Sequence, residues 1–528
     1  GDGAIGGTIN IITNPDYSNK SKNEIVAKKG SYDSNEFIWN GSHQFDNNSF
    51  STYFNHTSTD GYREENQQIQ NNFSSELKFK GNRGDHFFGI SYSEQIMSTP
   101  SDRSQDQLYS DRRGSDTPDD FINSDGVSIF YGSDYNINNN VNFFINSSFR
   151  LKDSYSDLQS TSFPSYNDTS LQNYQFTPRI NYKAKIFEST YGFDIQYADY
   201  LSHRKESQNV TPLHVYDAWQ ATQSFYTNNA IKISKKTTLG AGFRIQRNSI
   251  AIGDTLNTDA PDYAGWQTEH KTFSDNETNH GFTIGLDHAL NKKITLYGRV
   301  GNGFRYPNID DRIGGSGGTS LELETQTSRD YEIGTKLSFD NFSSNISTYL
   351  IDGKNELAYD SDAFENINMN STRRYGVELF TKNKINEKIS FINNFTYAKA
   401  KYTSGDQGTY ATNFEGKDVP LVPEYSLNSS LEWQLSDFIS FLPSIKFQDD
   451  MRMESDDENF QETKIPNYFI TNMVINAKFD KYFSSLTINN IFNKEYHNYA
   501  VASSSTKGTY NAYPEPGREI LVSFGTKF

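Results

Sequence analysis

The sequence predicts an all-β protein, a 22-stranded antiparallel transmembrane β-barrel with short turns at one end and long loops at the other. Three observations carry this prediction. Apolar and polar residues alternate with period two along most of the chain, and no window holds the 18 or more consecutive apolar residues that a membrane helix requires. Short polar turns recur at roughly regular spacing. The connections between them alternate between a few residues and 20 to 30, as they do in barrels with short periplasmic turns and long extracellular loops.

Composition supports one large repetitive architecture. The chain has 528 residues, which would allow about three or four ordinary domains, yet no Pro-rich, Gly/Ser-rich or single-sign linker divides it. Abundant Asn, Ser and Asp and a net charge of -17 would suit disorder, but 39 Phe and 34 Tyr spread through alternating runs argue against it. Mean hydropathy is low, at -0.76, as expected where only every second strand residue meets lipid. Cys is absent, which fits a chain crossing an oxidising compartment. The acidic balance argues against nucleic acid as a partner, because phosphate neutralisation needs clustered Lys and Arg.

The strands follow from the turns. Ten short polar segments separate paired runs: FDNNSF (45–50), KGNRGD (80–85), NINNNV (136–141), KAKIFE (183–188), ISKKTT (233–238), LNKKIT (290–295), FDNFSS (339–344), INEKIS (385–390), LSDFIS (435–440) and FDKYFS (479–484). Ten turns joining hairpins in series give eleven hairpins and 22 strands. The segments 95–124, 248–278 and 400–424 read as long loops. A soluble propeller would repeat at a similar period but needs four strands per blade. In EILVSFGTKF, the last ten residues, Ile520, Val522 and Phe524 form an apolar face opposite Ser523, Gly525 and Lys527.

The opening segment GAIGGTINIIT, Gly3 to Thr13, resembles the last strand of the plug domain in TonB-dependent outer-membrane receptors. Further segments fit that family in order: TDGYREEN, NGFRYPNIDD with LELETQTSRDYEIGTKLSF, NINMNSTRRYGVELF, DVPLVPEYSLNSSLEW, LTINNIFNKEYHNYA and the ending PGREILVSFGTKF. The resemblance implies a plug remnant and linker over 1–20, with Gly3, Gly6 and Gly7 allowing the backbone to turn or approach the wall closely, and a barrel over 21–528. It implies that Phe528 is the barrel's assembly signal and that the chain is the barrel part of a longer protein. It also implies energy supplied through the TonB complex, contacted by an upstream segment, and a setting of outer-membrane lipid and lipopolysaccharide in a bacterial outer membrane.

No catalytic arrangement is present. The nine His residues show no HExxH spacing, there is no GxSxG, and no thiolate metal site can form without Cys, so an enzyme is not expected. The function implied is active import of a scarce, bulky metal chelate, a ferric siderophore or cobalamin. A passive porin or structural barrel, and receptors for haem, carbohydrate or peptide, stand as alternatives.

Candidate site residues come from the loops. In FRYPNIDDRIGGSGGTS (304–320) Arg305 could grip a carboxylate or phosphate and Tyr306 could stack on a planar ligand, with Trp219, Trp266 and Tyr513 as further aromatic contacts. Each of these aromatics could equally brace a loop or sit in the interfacial girdle. Haem receptors of the family carry a His near this place, and none lies between Phe304 and Tyr331, but His203, His214, His270 and His280 keep haem open. Two loops are acidic: 94–125, with eight carboxylates against three Arg, and 449–462, with seven against one. They read as solvated surface or as a Ca2+ site, for which Asp116, Asp119, Asp120 and Asp125 are the candidates. Some cobalamin receptors of the family order their outer loops with calcium.

Overall fold

A computed structural model describes residues 21–160, 164–261, 272–313, 321–360, 365–404, 414–503 and 506–528. Gly3, Gly6, Gly7, Trp266 and His270 lie outside the described residues.

The chain begins with β1 (Lys22–Gly30), β2 (Asn35–Phe45), β3 (Asn48–Thr59), β4 (Gln68–Lys80) and β5 (Gly84–Ser98). The loop that follows carries a two-residue strand, β6 (Arg103–Ser104), and a one-turn helix, α1 (Gln107–Ser110). Long strands come next: β7 (Phe121–Asn138), β8 (Val141–Leu158), β9 (Ser165–Lys183), β10 (Phe187–Lys205), β11 (His214–Lys232), β12 (Thr237–Leu256) and β13 (Phe273–Ala289). β14 (Ile294–Arg305) leads through α2 (Ile309–Ile313) to β15 (Gln326–Ser338) and β16 (Phe342–Lys354). A loop hairpin, β17 (Leu357–Asp360) with β18 (Glu365–Asn368), precedes β19 (Thr372–Asn386), β20 (Ile389–Tyr402), β21 (Tyr425–Gln434) and β22 (Ile439–Gln448). The chain finishes with β23 (Tyr468–Phe479), β24 (Tyr482–Asn489), the loop strands β25 (His497–Ala502) and β26 (Tyr510–Pro514), and β27 (Glu519–Lys527).

Twenty-two of these strands make one antiparallel sheet. It closes where β1 pairs with β27 in the register Ile25↔Thr526 and Ala27↔Phe524, so the sheet has no free edge. All ten polar turns lie between paired strands on one side. Asp46 and Asp480, in two of the four two-residue turns, take left-handed φ of 51° and 53°, a region Asp tolerates because its short side chain bonds locally. β1 starts on this side and Phe528 ends there, exchanging backbone hydrogen bonds with Asn23 at 2.8 and 3.0 Å.

The loop boundaries differ from the sequence reading. Within the segment read as a loop over 248–278, β12 runs to Leu256 and β13 starts at Phe273, and the two stay paired as far as Ile252↔Phe273. Ile250 and Ile252 are buried on the inner face there, so this apolar pattern packs against a folded-in loop and not against lipid. One connection on the loop side, 31–34, is as short as a turn, made possible by left-handed Tyr32 and Asp33 at φ 58° and 50°.

Alternation sets the two faces of the wall. On β27, Ile520, Val522 and Phe524 are exposed outward, while Ser523 is buried with its Oγ 2.6 Å from that of Ser485. A row of outward aromatics crosses β8 to β11: Phe149, Tyr174, Tyr197 and Trp219 follow one another with ring centroids 4.9, 6.2 and 6.4 Å apart. Amphipathic rings of this kind settle at the membrane–water interface. On the inner face, large rings lie over glycines of the next strand. A Cβ at Gly525 would meet the Phe483 ring at 2.2 Å, and one at Gly192 the Tyr226 ring at 2.1 Å. No helix among the described residues is long and apolar enough to cross a membrane.

Candidate cargo site

The loops build a cap with a core of its own. β26 pairs with β25 and, through Asn511↔Ser104 and Ala512↔Arg103, with β6 from a loop some 400 residues earlier. Leu108, Met451, Met453, Ile465, Ala500, Ala502, Tyr510 and Ala512 are buried together against Leu421. Ala500 and Ala512 have no exposed surface, since only a small side chain lets the small sheet seat flush on the methionines. Further bridges, Met451↔Ile465 and Glu454↔Val501, tie the acidic loop 449–467 to this core.

Beside that sheet four arginines are pinned by the loops. Arg103 is fully buried and donates from Nε to the Gly114 carbonyl at 2.8 Å and from Nη1 to both Asp116 oxygens at 3.3 Å. Arg63, in the TDGYREEN segment, donates from Nη2 to the same carbonyl at 2.7 Å. Burial and the neighbouring Arg103 charge lower the Arg63 pKa. Among the described residues, Arg63 Nε and Arg103 Nη2 are buried without an acceptor. Arg113 lies between the rings of Tyr32 and Tyr62, 5.6 and 5.4 Å from their centroids. Arg112 donates to the Tyr496 carbonyl and, after burial itself, is the second cause that pushes the His497 pKa down to about 4. Tyr513, on β26, keeps 41% of its surface; burial and then Asp102 raise its pKa. This arrangement gathers guanidinium groups and a half-exposed ring under the loop cap.

The described parts of a second loop, 306–313 and 321–325, fold against the inner wall. Ile309 and Ile313 of α2 bury against Tyr200, Tyr216, Ala218, Ile250 and Ile252. Arg312, also buried, lies 4.5 Å over the Phe273 ring and donates to the Leu321 carbonyl. Arg305 is held by both oxygens of Asp311, at 3.0 and 2.9 Å. Tyr306 is buried to 2%; its hydroxyl donates to the Gln246 carbonyl at 2.8 Å and accepts from the Asn279 N–H at 3.0 Å. Both residues thus tether the loop to the wall, and the Tyr306 ring presents no open face.

The sequence candidates are therefore not gathered into one site. Arg305 and Tyr306 sit at α2, Tyr513 at the arginine cluster, and Trp219 on the outer surface of β11, on the barrel wall and not in a loop. The acidic residues are equally dispersed. Asp116 is engaged by Arg103, Asp120 is buried and accepts the Gln159 and Ser160 N–H groups at 2.9 Å each, Asp119 holds a left-handed φ of 72°, and Asp125 lies within β7. Among the described residues no group of three or more His, Asp or Glu side chains is placed to hold a metal ion. His214 is buried with its Nδ1 3.0 Å from Asp254, His203 lies 4.0 Å from Asp168, and His280 is exposed on β13. Arg63 and Arg103 were not among the sequence candidates. Their one sequence signal is the presence of Arg in strongly acidic or polar loops, where an unpaired cation is out of character.

The family described as "TonB dependent receptor-like, beta-barrel" matches residues 70–493. No curated protein matches the chain by sequence. Among solved structures, the ferric yersiniabactin uptake receptor FyuA from Yersinia pestis superposes with a TM-score of 0.81 at 14% identity, covering 96% of this chain and 80% of FyuA. The siderophore receptor PiuA from Acinetobacter baumannii gives 0.82 at 13% identity, covering 100% and 84%. The copper transporter OprC gives 0.76 at 12% identity, covering 96% and 80%.

Proposed function

This chain belongs to the TonB dependent receptor-like β-barrel family, and from that premise we propose that it takes up an anionic metal chelate, foremost a ferric siderophore, through the outer membrane. The family places the chain in the bacterial outer membrane as a receptor and transporter, not an enzyme. The observation that supports the cargo is the buried arginine pair. A chain with a net charge of -17 attracts few anions by its overall field, so an anionic cargo needs local cations. Arg63 and Arg103 are such cations under the loop cap, each with one buried nitrogen without an acceptor; Arg103 already pairs with Asp116 at 3.3 Å and Asp111 at 3.8 Å, and Tyr513 nearby keeps 41% of its surface for contact with a planar chelating group. FyuA, which shares the fold, is by its description a ferric yersiniabactin uptake receptor, and PiuA a siderophore receptor.

In the family the energy comes through TonB, and the barrel makes no covalent change in its cargo. The test is equilibrium binding to the full-length protein of ferric catecholate, hydroxamate and citrate chelates, with cobalamin and haem as competitors, in wild type and Arg63→Gln. One anionic ferric chelate should bind tightly and lose on the order of tenfold in the variant, the scale of one charge-assisted hydrogen bond. Binding of cobalamin or haem alone, unchanged in the variant, would refute the assignment.

A further inference from the structure

On the loop side the wall is uneven, and β13 carries a free edge there. β12 pairs with β13 from Ile252↔Phe273 to Thr237↔His288, whereas β14 pairs with it only from Phe282↔Asn302 to Ala289↔Thr295. The cause is local. After Asn302 the chain of β14 leaves β13 and continues beside β15 alone, as far as Arg305↔Gln326, and Tyr306 then reaches Gln246 on the inner wall. The Asn302 side chain closes the seam where the two strands part: Oδ1 accepts the Phe282 N–H and Nδ2 donates to the His280 carbonyl, each at 2.9 Å. Even-numbered residues of β13 therefore turn their N–H and C=O groups toward the side that β14 has left. Ser274, Asn276 and Thr278 present that edge with no strand beside it among the described residues.

Beside the edge lies a slot of about 490 Å³, bounded on its far side by residues 322–325, which lead into β15. Four carboxylates line it. Asp275 and Glu277 come from the inward face of β13, Glu322 and Glu324 from the opposite bank. Glu277 accepts from Thr325 at 2.7 Å and from Asn279 at 3.2 Å, and Glu324 from Asn355 at 2.6 Å. None of the four has an ion-pair partner among the described residues, and no Lys, Arg or His lines the slot. Arg312, whose charge Asp275 and Glu277 feel, is buried over the Phe273 ring and donates to the Leu321 carbonyl.

We propose that this slot docks an extended segment of a cationic partner protein, added antiparallel to β13 with Lys or Arg at alternate positions. Free edges are ordinarily blunted by Pro, Lys or a bulge, and Phe273 to Gly281 has none of these. The carboxylates instead select what pairs there. A second copy of β13 would set carboxylate against carboxylate, and a neutral strand would leave four charges uncompensated. In an antiparallel addition, side chains on the inward face beside Asp275 and Glu277 recur every second residue, while the residues between them turn their N–H groups to β13. Backbone hydrogen bonds to Ser274, Asn276 and Thr278 thus supply affinity, and cations facing the four carboxylates supply specificity. The inference is independent of the chelate reading, since neither Arg63 nor Arg103 lines the slot.

The experiment measures binding of a short synthetic peptide, Lys alternating with Thr, to the full-length protein in detergent by fluorescence anisotropy. Wild type should bind it roughly tenfold or more tightly than the same peptide with Glu in place of Lys, and than a version N-methylated at its Thr residues. Hydrogen exchange across 273–281 should slow on binding. Asp275→Asn with Glu322→Gln should weaken binding on the order of tenfold, while heat-modifiable migration shows a folded barrel. Asp275→Asn alone should give part of that loss if the double variant does not fold. Equal binding of the N-methylated peptide, unchanged exchange on binding, or a folded double variant that binds like wild type would overturn the proposal. So would displacement of the peptide by spermine at matched concentration, which would make the slot a free-cation site.

Discussion

Acidification should open the loop cap, and His497 sets the pH range. Its side chain on β25 is 8% exposed and lies 6.2 Å from the Tyr510 ring, with Nε2 buried and without an acceptor among the described residues. Burial first, and the Arg112 charge second, bring its pKa from 6.5 down to about 4. The folded ring therefore stays neutral where the released ring would already be protonated. Stability of the β6–β25–β26 unit is full above pH 6.5 and falls by about 1.4 kcal/mol per pH unit as the pH drops toward 4, a total of about 3 kcal/mol. Asp457 and Glu454, whose pKa values are raised by burial, act in the opposite direction over part of this range. A His497→Gln variant isolates the ring from them. Hydrogen exchange of the segment 497–514, corrected for the intrinsic pH dependence, gives the opening free energy of each protein. The difference between wild type and variant should change by about 3 kcal/mol between pH 7 and pH 4. A difference that stays constant with pH would refute the reasoning.

Val522→Arg should destabilise the barrel in lipid vesicles by about 2 to 3 kcal/mol, because the residue lies about 10 Å in from the interface marked by Tyr482 and Phe528, allowing for strand tilt. Asn476→Arg, on the lumen side of β23, should cost less than about 1 kcal/mol; equal costs in folding titrations would mean that the faces are reversed. Ala218→Phe puts a ring where no surface is exposed under Ile309 and Ile313, an overpacking cost of about 1 to 3 kcal/mol that falls on α2 rather than on the wall. Limited proteolysis within 306–325 should accelerate while the barrel keeps its thermal transition, and unchanged protection would sink the assignment.

The sequence by itself determined the barrel. Each hairpin is local, its turn marked by polar residues such as FDNNSF and FDKYFS, and strict alternation fixed which of Val522 and Ser523 meets lipid, because a strand has only two faces and one is apolar. Loop ends were legible only roughly, since Ile250 and Ile252 continue the alternation past the belt and bury inward against α2. The site was decided by tertiary structure. Arg63 and Arg103 meet on one carbonyl, at Gly114, across some 50 residues, β6 joins β26 across some 400, and Tyr306 turns from a ligand contact into a tether by reaching Gln246. Glu94 likewise meets Asp125, and Arg373 meets Asp352, only once register sets their strands side by side. Period and turn chemistry repeat every few residues and can be read one segment at a time. Contacts between loops depend on which strands the closed sheet makes neighbours, and no short stretch of sequence carries that information.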